Sequence, residues 1–350
     1  MNIVKAAVIG IGSIAESVHL KYLQKNEHVL VKALVDMDLE RAKSVARNHH
    51  IPHVFASIDE LVKEVHVDAV LICTPNATHI PIAKKAAEQH IHVFIEKPIG
   101  TNLNEVKEYL TLAAKKNIRT MVGMTHRYRR DVSIIRKYID QGMLGNLYYA
   151  KAKLFRRRGT PRGWFTNQDL SGGGALMDIG IHVLDLAWWL MGKQEIHSIS
   201  GQTLTKLGNY RTKYVSAWSS TNKKLNANHT MDVDDFASAY IRLKNDAVIH
   251  LEIAWAINGE QDNGVQVELF GDKGGAKLSP LTIYKEENGV CTETTPTYED
   301  AEAFEIEINH FIECVKTGEE PLSNGKQGYQ LLEMIMGIYE SSKQKKEVKF

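Results

Sequence analysis

The stretch IVKAAVIGIGSIAES, residues 3–17, decides how the first part of the chain is expected to fold. An apolar run of strand character ends at Gly10, and a helical pattern follows Gly12. Gly10, Gly12 and Ala15 make a GxGxxA pattern, whose small residues let the backbone approach a pyrophosphate and aim a helix N-terminus at its charge. Small residues also build ordinary tight turns, so the surrounding sequence has to support this interpretation.

Strand-like and helix-like runs alternate through the first third of the chain. The strand-like runs are IVKAAVIG, VLVKALVD, DAVLICT, HVFIEKP and IRTMVGM, and the helical ones are DLERAKSVARNHH, HIPIAKKAAEQH and NLNEVKEYLTLAAKKN. This alternation is typical of βαβ units, in which helices cover both faces of a parallel sheet. We therefore expect an α/β fold that begins with a doubly wound parallel sheet in a domain spanning residues 1–123.

Asp36 ends the second strand-like run, where an acidic residue binds the adenosine ribose hydroxyls and repels a 2′-phosphate. NAD is therefore favoured over NADP as the cofactor. Ser13 and Ile14 of the glycine loop are further candidate cofactor contacts. The alternative for Asp36 is a solvated turn residue, although Asp38 fits that role better.

Polar residues also follow the next two strand-like runs, at the carboxyl ends where open parallel sheets bind ligands. The candidate cofactor contacts there are Thr74, Pro75, Asn76, His79, Glu96 and Lys97. Pro98 restricts the residues before it to an extended conformation, which would hold Lys97 in a fixed direction. The alternatives are that His79 only packs against the next helix and that Lys97 is a solvated charge.

After residue 123, strand-like and helix-like runs no longer alternate regularly. Longer strand-like runs appear, in which apolar and polar residues alternate. FASAYIRLKNDAVIHLEIAWAI predicts a hairpin that turns near Asn245-Asp246, and GVQVELFGDKGGAKLS predicts another that turns at Asp272 to Gly275. Helices are predicted in EAFEIEINHFIECVKTG and NGKQGYQLLEMIMGIYESSKQKK. We expect a second, α+β domain over residues 124–350, with a mostly antiparallel sheet.

The segment SGGGALMDIGIHVLDLAWWLMG, residues 171–192, predicts an apolar helix that carries three titratable residues. Asp178, His182 and Asp185 stand at i, i+4 and i+7, which places them on one helix face. That face could simply meet solvent or a seam between domains. A zinc site is a third interpretation, but no HExxH motif or cysteine cluster supports it, so no metal is expected.

GxGxxA, TPNATH, EKP and GGGALMDIGIHVLDLAWWLMG, in this order, resemble the motifs of the Gfo/Idh/MocA family of NAD(P)-dependent oxidoreductases. The family is named after glucose-fructose oxidoreductase, inositol dehydrogenase and a rhizopine-catabolism protein, and the similarity continues through VDDFASAYIRL to the C-terminal helices. It implies a Rossmann domain followed by an α/β domain whose large open sheet mediates homodimers or homotetramers. It also implies that Lys97, Asp178 and His182 surround the carbon that gives up hydride.

Hydride loss from an alcohol carbon requires a base within hydrogen-bond reach of the hydroxyl. His182 is the candidate base, because an imidazole titrates nearest neutrality. Lys97 can polarise the oxygen and stabilise alkoxide charge, and Asp178 can orient Lys97 or relay the proton. Asp185 is interpreted as structural, with hydrogen bonds to backbone near the helix.

Two stretches are candidates for substrate binding. THRYRR supplies His126, Arg127 and Tyr128, as the family resemblance implies for this loop, and FRRRGTPRGWF supplies Arg156, Arg158 and Trp164. Strand alternation would turn Arg156 and Arg158 to one face and Arg157 to the other. The arginines would bind hydroxyls, a carboxylate or a phosphate, and Trp164 would stack on a sugar ring, unless the cluster is only a solvated strand edge.

Composition excludes several classes of protein. Lys and Arg number 43 against 42 Asp and Glu, a net charge of +1 that does not favour a nucleic-acid partner. No apolar run is long enough for a transmembrane helix, and Cys73, Cys291 and Cys314 lack the spacing of a disulfide framework. We expect a soluble cytoplasmic protein.

The sequence thus predicts a dehydrogenase that oxidises a secondary hydroxyl of a cyclic polyol or sugar with NAD. Two alternatives stay open. One is an NAD-dependent glycosidase that oxidises its substrate transiently, and the other is a regulator that senses dinucleotide and sugar without catalysis. The presence of Lys97, Asp178 and His182 together counts against a purely binding role.

Overall fold

The computed structural model describes residues 3–210, 231–262 and 264–350. The first sheet contains six strands, which are β1 (Val4–Ile9), β2 (Val29–Val35), β3 (His53–Phe55), β4 (Ala69–Ile72), β5 (His92–Glu96) and β6 (Thr120–Gly123). They pair in the order β3-β2-β1-β4-β5-β6, and all these pairings are parallel. The doubly wound sheet is confirmed, and the strand order reverses between β1 and β4, where such sheets open a ligand crevice.

Helices cover both faces of this sheet, as the alternating pattern predicts. They are α1 (Leu20–Lys25), α2 (Leu39–Asn48), α3 (Ile58–Glu64), α4 (His79–Glu88) and α5 (Leu103–Lys115). A π-helical turn, Ala15–His19, leads into α1. The sequence patterns missed β3 and α3, because a three-residue strand is too short to show a period.

The second sheet lies in the second part of the chain and contains nine strands. They are β7 (Leu147–Phe155), β8 (Ile196–Leu204), β9 (Phe236–Leu243), β10 (Val248–Ala254), β11 (Gln266–Gly271), β12 (Gly274–Lys277), β13 (Thr282–Glu287), β14 (Val290–Thr294) and β15 (Val348–Lys349). The order is β14-β13-β12-β11-β7-β10-β9-β8-β15, antiparallel except between β7 and β10. Both predicted hairpins, β9-β10 and β11-β12, are confirmed.

The remaining helices are α6 (Arg130–Asp140), α7 (Gln168–Ser171), α8 (Ile181–Leu190), α9 (Ala303–Thr317) and α10 (Gly325–Gln344). Helices α8 and α10 pack on one face of the nine-stranded sheet. Helix α9 lies instead against the first sheet, where Ile308, Phe311 and Ile312 share a core with β1 and α1. The first sheet therefore obtains one of its covering helices from beyond residue 124.

Within the described ranges, no helix is both long and apolar enough to cross a membrane.

Candidate active site

A cavity of about 410 Å³ lies where β4, β5 and β6 end, and the start of α9 and the segment before α8 close its other sides. Most of the side chains predicted to form a site meet in its walls. Those that line it are Ile14, Thr74, Asn76, His79, Glu96, Lys97, His126, Arg156, Trp164, Asp178 and His182. Chain segments that are far apart in the sequence thus converge on one crevice.

The helix that carries Asp178 and His182 is anchored at its start by Asp234, which comes from the VDDF segment. The two carboxylate oxygens of Asp234 accept from the backbone N–H groups of Gly174 (2.8 Å) and Leu176 (2.9 Å). A Cβ at Gly174 would lie 1.8 Å from the carbonyl oxygen of Asp234, so this close approach requires glycine. The cap satisfies helix N–H groups that would otherwise be buried without a partner.

Asp178 lies in a π-helical turn, Leu176–Gly180, that leads into α8. Its carboxylate meets Lys97, at the end of β5, with Lys97 Nζ 2.9 Å from Asp178 Oδ1. Lys97 Nζ also donates to the Asp178 carbonyl oxygen at 2.8 Å, so two of the three ammonium protons are held by one residue. The third proton is left for a ligand in the cavity.

Electrostatics keep the Asp178 carboxyl ionised. Burial raises its pKa, but the charges of Lys97 and Arg156 and hydrogen bonds from Lys97 and Trp255 outweigh burial, and the pKa is lowered. Asp178 therefore serves as a counter-charge for Lys97 at neutral pH.

His182 is a neutral imidazole in the cavity wall. Burial, followed by the charge of Lys97, lowers its pKa well below the ordinary value. Its ring lines the cavity, and its Nδ1 is buried and has no hydrogen-bond partner among the described residues. The His126 ring packs edge-on against it at 5.0 Å, and burial lowers the pKa of His126 to about 4.

Glu96 is held by a buried histidine from the first helix. His19 Nε2 lies 2.6 Å from Glu96 Oε1, and His19 is fully buried. Burial raises the pKa of Glu96, but the hydrogen bond and charge of His19 outweigh burial and lower it, so the carboxylate accepts and His19 carries its proton on Nε2. Glu307, beneath the cavity, accepts from the Thr125 hydroxyl at 2.7 Å, and burial raises its pKa well above the ordinary value.

The glycine loop has the geometry that the sequence predicts. Gly10 has φ +86°, and a Cβ there would lie 2.7 Å from Thr74 Cγ2, whereas a Cβ at Gly12 would meet no atom within 4 Å. Gly12 therefore leaves open space above the loop. Asp36 accepts from the backbone N–H of Ile11 at 2.7 Å, which fixes its carboxylate beside the loop.

The other predicted loop residues lie in the scaffold of the crevice. Ser13 opens the helical segment after the loop, Ala15 is fully buried, and Pro75 precedes a short 3-10 turn. Asp38 caps α2, because its side chain accepts from Arg41 N. These residues shape the loop and do not line the cavity.

His79 and Asn76 hold the crevice together. Both ring nitrogens of His79 lie 2.8 Å from carbonyl oxygens, Nδ1 from that of Pro98 and Nε2 from that of Thr74. Asn76 Nδ2 donates to the Ser171 carbonyl at 2.8 Å, which ties the end of β4 to the segment before α8. Both ring nitrogens of His79 thus lie against backbone carbonyls of the crevice wall.

The prediction that Arg127 and Tyr128 contact substrate is wrong. Arg127 is buried and donates to both carboxylate oxygens of Asp185, at 2.9 and 2.5 Å, and also to the Leu322 carbonyl. Tyr128 is buried with its hydroxyl directed at Met121 Sδ. Asp185 is structural, as expected, but its partner is the Arg127 guanidinium and not helix backbone.

Arg158 also lies outside the cavity wall. Strand β7 ends at Phe155, so strand alternation does not govern the arginines that follow. Arg158 donates to the Ile257 carbonyl and to Asn258 Oδ1, both at 2.7 Å, and so braces the loop after β10. Arg156 lines the cavity, where Trp164 stacks on Phe165 with ring centroids 4.0 Å apart.

Sequence reasoning missed several residues of the site, among them Arg129, Phe304 and Trp255. Arg129 lines the cavity one position beyond the predicted triplet and is held by Asp131. Phe304 lines the cavity from α9, which carries none of the quoted family motifs, and the indole of buried Trp255 donates a hydrogen bond to Asp178. Only Arg129 had a local signal, the THRYRR run. Among the described residues, no group of three or more His, Cys, Asp or Glu is placed to hold a metal ion.

The chain is similar to known proteins over nearly its whole length. Residues 4–124 match an oxidoreductase family profile with an NAD-binding Rossmann fold, and residues 136–350 match the C-terminal alpha/beta domain of the same oxidoreductase family. The chain is 29% identical to D-glucoside 3-dehydrogenase of Escherichia coli, over 97% of this chain and 95% of the relative. It is 28% identical to scyllo-inositol 2-dehydrogenase (NAD(+)) of Bacillus subtilis, over 91% and 88%. The solved structure of a levoglucosan dehydrogenase in complex with NADH shares the fold, with TM-score 0.87, 22% identity, and coverage of 100% of this chain and 99% of that one.

Replacing Arg127 by Met is expected to lower the free energy of unfolding by about 3–5 kcal/mol, because Asp185 becomes a buried charge without its partner. Urea unfolding followed by circular dichroism measures the change. The control, Arg130→Met, alters an exposed side chain and should change stability by no more than about 0.5 kcal/mol. An Arg127→Met protein with the stability of the parent would contradict the structural role.

Proposed function

The chain belongs to the Gfo/Idh/MocA oxidoreductase family, and from this premise we propose that it is an NAD-dependent dehydrogenase that oxidises a secondary hydroxyl of a sugar or cyclic polyol. The observation that carries the proposal is the cluster of Lys97, Asp178 and His182 in one cavity, beside the glycine loop. An ammonium, its counter-charge and a neutral imidazole are the groups that removal of a hydroxyl proton requires.

The residues of the first domain fit a dinucleotide. The open space above Gly12 would admit a pyrophosphate, and the helix that begins at Ser13 directs its first N–H groups toward that space. The fixed carboxylate of Asp36 would accept from ribose hydroxyls and disfavour a 2′-phosphate, which supports NAD over NADP. NAD+, when bound, supplies the hydride acceptor.

Lys97 and His182 have different roles at the substrate hydroxyl. The third N–H of the Lys97 ammonium donates a hydrogen bond to the substrate oxygen and stabilises the negative charge that grows there as the hydroxyl proton leaves. His182 receives that proton, because its lowered pKa keeps the ring nitrogen unprotonated and ready to accept. Asp178 holds the Lys97 ammonium in place.

The cavity wall supports a cyclic, hydroxylated substrate. Trp164 and Phe165 offer an aromatic surface for the apolar face of a sugar ring, and D-glucoside 3-dehydrogenase and the inositol dehydrogenase are both relatives that act on such rings. Arg156 adds a cation to this wall.

The first experiment follows nicotinamide absorbance with NAD or NADP and a panel of glucosides, inositols, uronic acids and sugar phosphates. The parent is expected to reduce NAD with at least one panel member. Lys97→Ala should lower kcat/KM by about 100-fold or more, since a donor aimed at the developing charge is lost. Lys115→Ala, an exposed lysine in the last turn of α5, is the control and should match the parent.

Tight NAD binding without turnover on any panel member would contradict the proposal. Hydrolysis of a glycoside without net change in absorbance would point to a glycosidase, and binding with no chemistry would point to a sensor.

The charge of Arg156 predicts a preference among substrates. Arg156→Gln is expected to raise KM about ten-fold or more for a uronic acid or sugar phosphate and to leave KM for a neutral sugar nearly unchanged, because a charge-assisted hydrogen bond is lost only with the anion. Arg157→Gln, the exposed neighbour, is the control. Equal effects on neutral and anionic substrates would remove the anion-binding role.

We also infer a homodimer or homotetramer that uses the face of the nine-stranded sheet that α8 and α10 do not cover. Opposite α8 and α10, this face carries aromatic side chains, and two pairs are in contact, Tyr149 with Phe270 and Phe155 with Phe236. Surfaces of this kind are typical of protein interfaces.

Light scattering should give a multiple of the chain mass for the parent and for Met37→Asp in the other domain, and a smaller mass for Tyr240→Asp on the sheet. A monomeric parent protein would contradict the inferred homodimer or homotetramer.

A further inference from the structure

Asp178 is held from both sides, and only one of its two holders lines the cavity. Lys97 Nζ donates to Asp178 Oδ1 at 2.9 Å, and the indole Nε1 of Trp255 donates to Asp178 Oδ2 at 3.0 Å. Trp255 is fully buried and is not part of the cavity wall. Its bond to Asp178 is therefore made entirely inside the protein.

Trp255 is itself rigidly placed, one residue after β10. Its backbone N–H donates to the Asp235 carbonyl at 2.8 Å, and its carbonyl accepts from Gly159 N at 2.7 Å. Asp235 follows the Asp234 cap of the π-helical turn, and Gly159 follows the arginine run. The backbone of Trp255 is thus bonded to the segment of Asp234 and Asp235 and to the loop that contains Gly159.

We propose that Trp255 is a positioning residue for the dehydrogenase reaction: by holding Oδ2, it confines Asp178 to the orientation of Lys97 and prevents the carboxylate from taking the substrate proton. This inference rests on the proposed function, since it concerns the same site. It also selects between the two roles that the sequence leaves open for Asp178, in favour of orientation over proton relay.

The physical reason is the torsional freedom of a carboxylate. Rotation about the last torsion of an Asp side chain is broad, so one hydrogen bond does not fix the plane of the group. With Oδ1 on Lys97 and Oδ2 on Trp255, the plane is set, and two of the three Lys97 protons are directed at Asp178. The remaining proton then has one direction only, into the cavity, where the substrate oxygen must lie.

The test replaces Trp255 by Phe, which keeps an aromatic ring at this position and removes the indole N–H donor. The expected result is a fall in kcat of about ten-fold or more with little change in the KM for substrate, because binding contacts stay and only the direction of Lys97 is lost. Trp188→Phe is the matched control. Trp188 is equally buried and its Nε1 also donates, at 2.9 Å, but to the Gln194 carbonyl away from the cavity, so kcat should be close to that of the parent.

A double-mutant cycle with Asp178→Asn separates positioning from a general loss of structure. If Trp255 acts through the carboxylate of Asp178, Trp255→Phe should lower kcat much less in the Asp178→Asn background than in the parent. Equal losses in both backgrounds would overturn the proposal, since they would show that Trp255 acts through the fold alone.

A second measurement needs neither cofactor nor turnover. Carbon-13 NMR titration of labelled aspartate carboxyls follows the resonance that disappears in Asp178→Asn. Removal of a donor to the ionised form should raise the pKa of Asp178 in Trp255→Phe and leave it unchanged in Trp188→Phe. An unchanged pKa in Trp255→Phe would overturn the proposal. Failure of the proposed function is distinct, because it would show as a parent inactive on the whole panel while the NMR shift is still present.

Discussion

The contact between Lys97 and Asp178 is the constraint on which the rest of this molecule depends. It joins the end of a strand in the first sheet to a helical turn that packs on the second sheet. The turn that carries Asp178 follows three glycines, two of which pack closely against the second part of the chain. A Cβ at Gly173 would lie 2.1 Å from the Tyr339 hydroxyl, and one at Gly174 would overlap the Asp234 carbonyl.

Charge pairing inside the crevice follows from the cost of burial. Three carboxylates close to the cavity have a nitrogen donor at hydrogen-bond distance: Lys97 for Asp178, His19 for Glu96 and Arg129 for Asp131. The imidazoles of His126 and His182 in the cavity wall have lowered pKa values because burial and the neighbouring cations disfavour a further positive charge. A site that pairs an ammonium with a carboxylate beside a neutral imidazole is suited to accept one proton from an alcohol.

The sequence predicts the fold and the centre of the site because both are encoded locally. The glycine loop, EKP and the GGG helix are each short, and the carboxyl ends of neighbouring parallel strands must lie together, so Lys97 and the glycine loop could be placed without coordinates. Arg127, Arg158 and Trp255 depend on partners that no local pattern reveals. Arg127 lies between two predicted site residues, yet its partner Asp185 is 58 positions away. A run of arginines shows that cations are present, but not which of them reaches the cavity.

Two π-helical turns explain why the spacing argument for the GGG helix was right for two residues and incomplete for the third. A π turn adds one residue to a helical turn and changes the direction of the side chains around it, and such turns occur often at functional sites. Here Leu176–Gly180 directs Asp178 at Lys97, and Asp185, beyond it, turns away to Arg127. In the first domain, Ala15–His19 directs His19 at Glu96. Glu96 and Lys97 are adjacent in sequence, and each is held by a residue of a different π-helical turn, one from each domain. The position of the EKP segment is therefore set by both domains together.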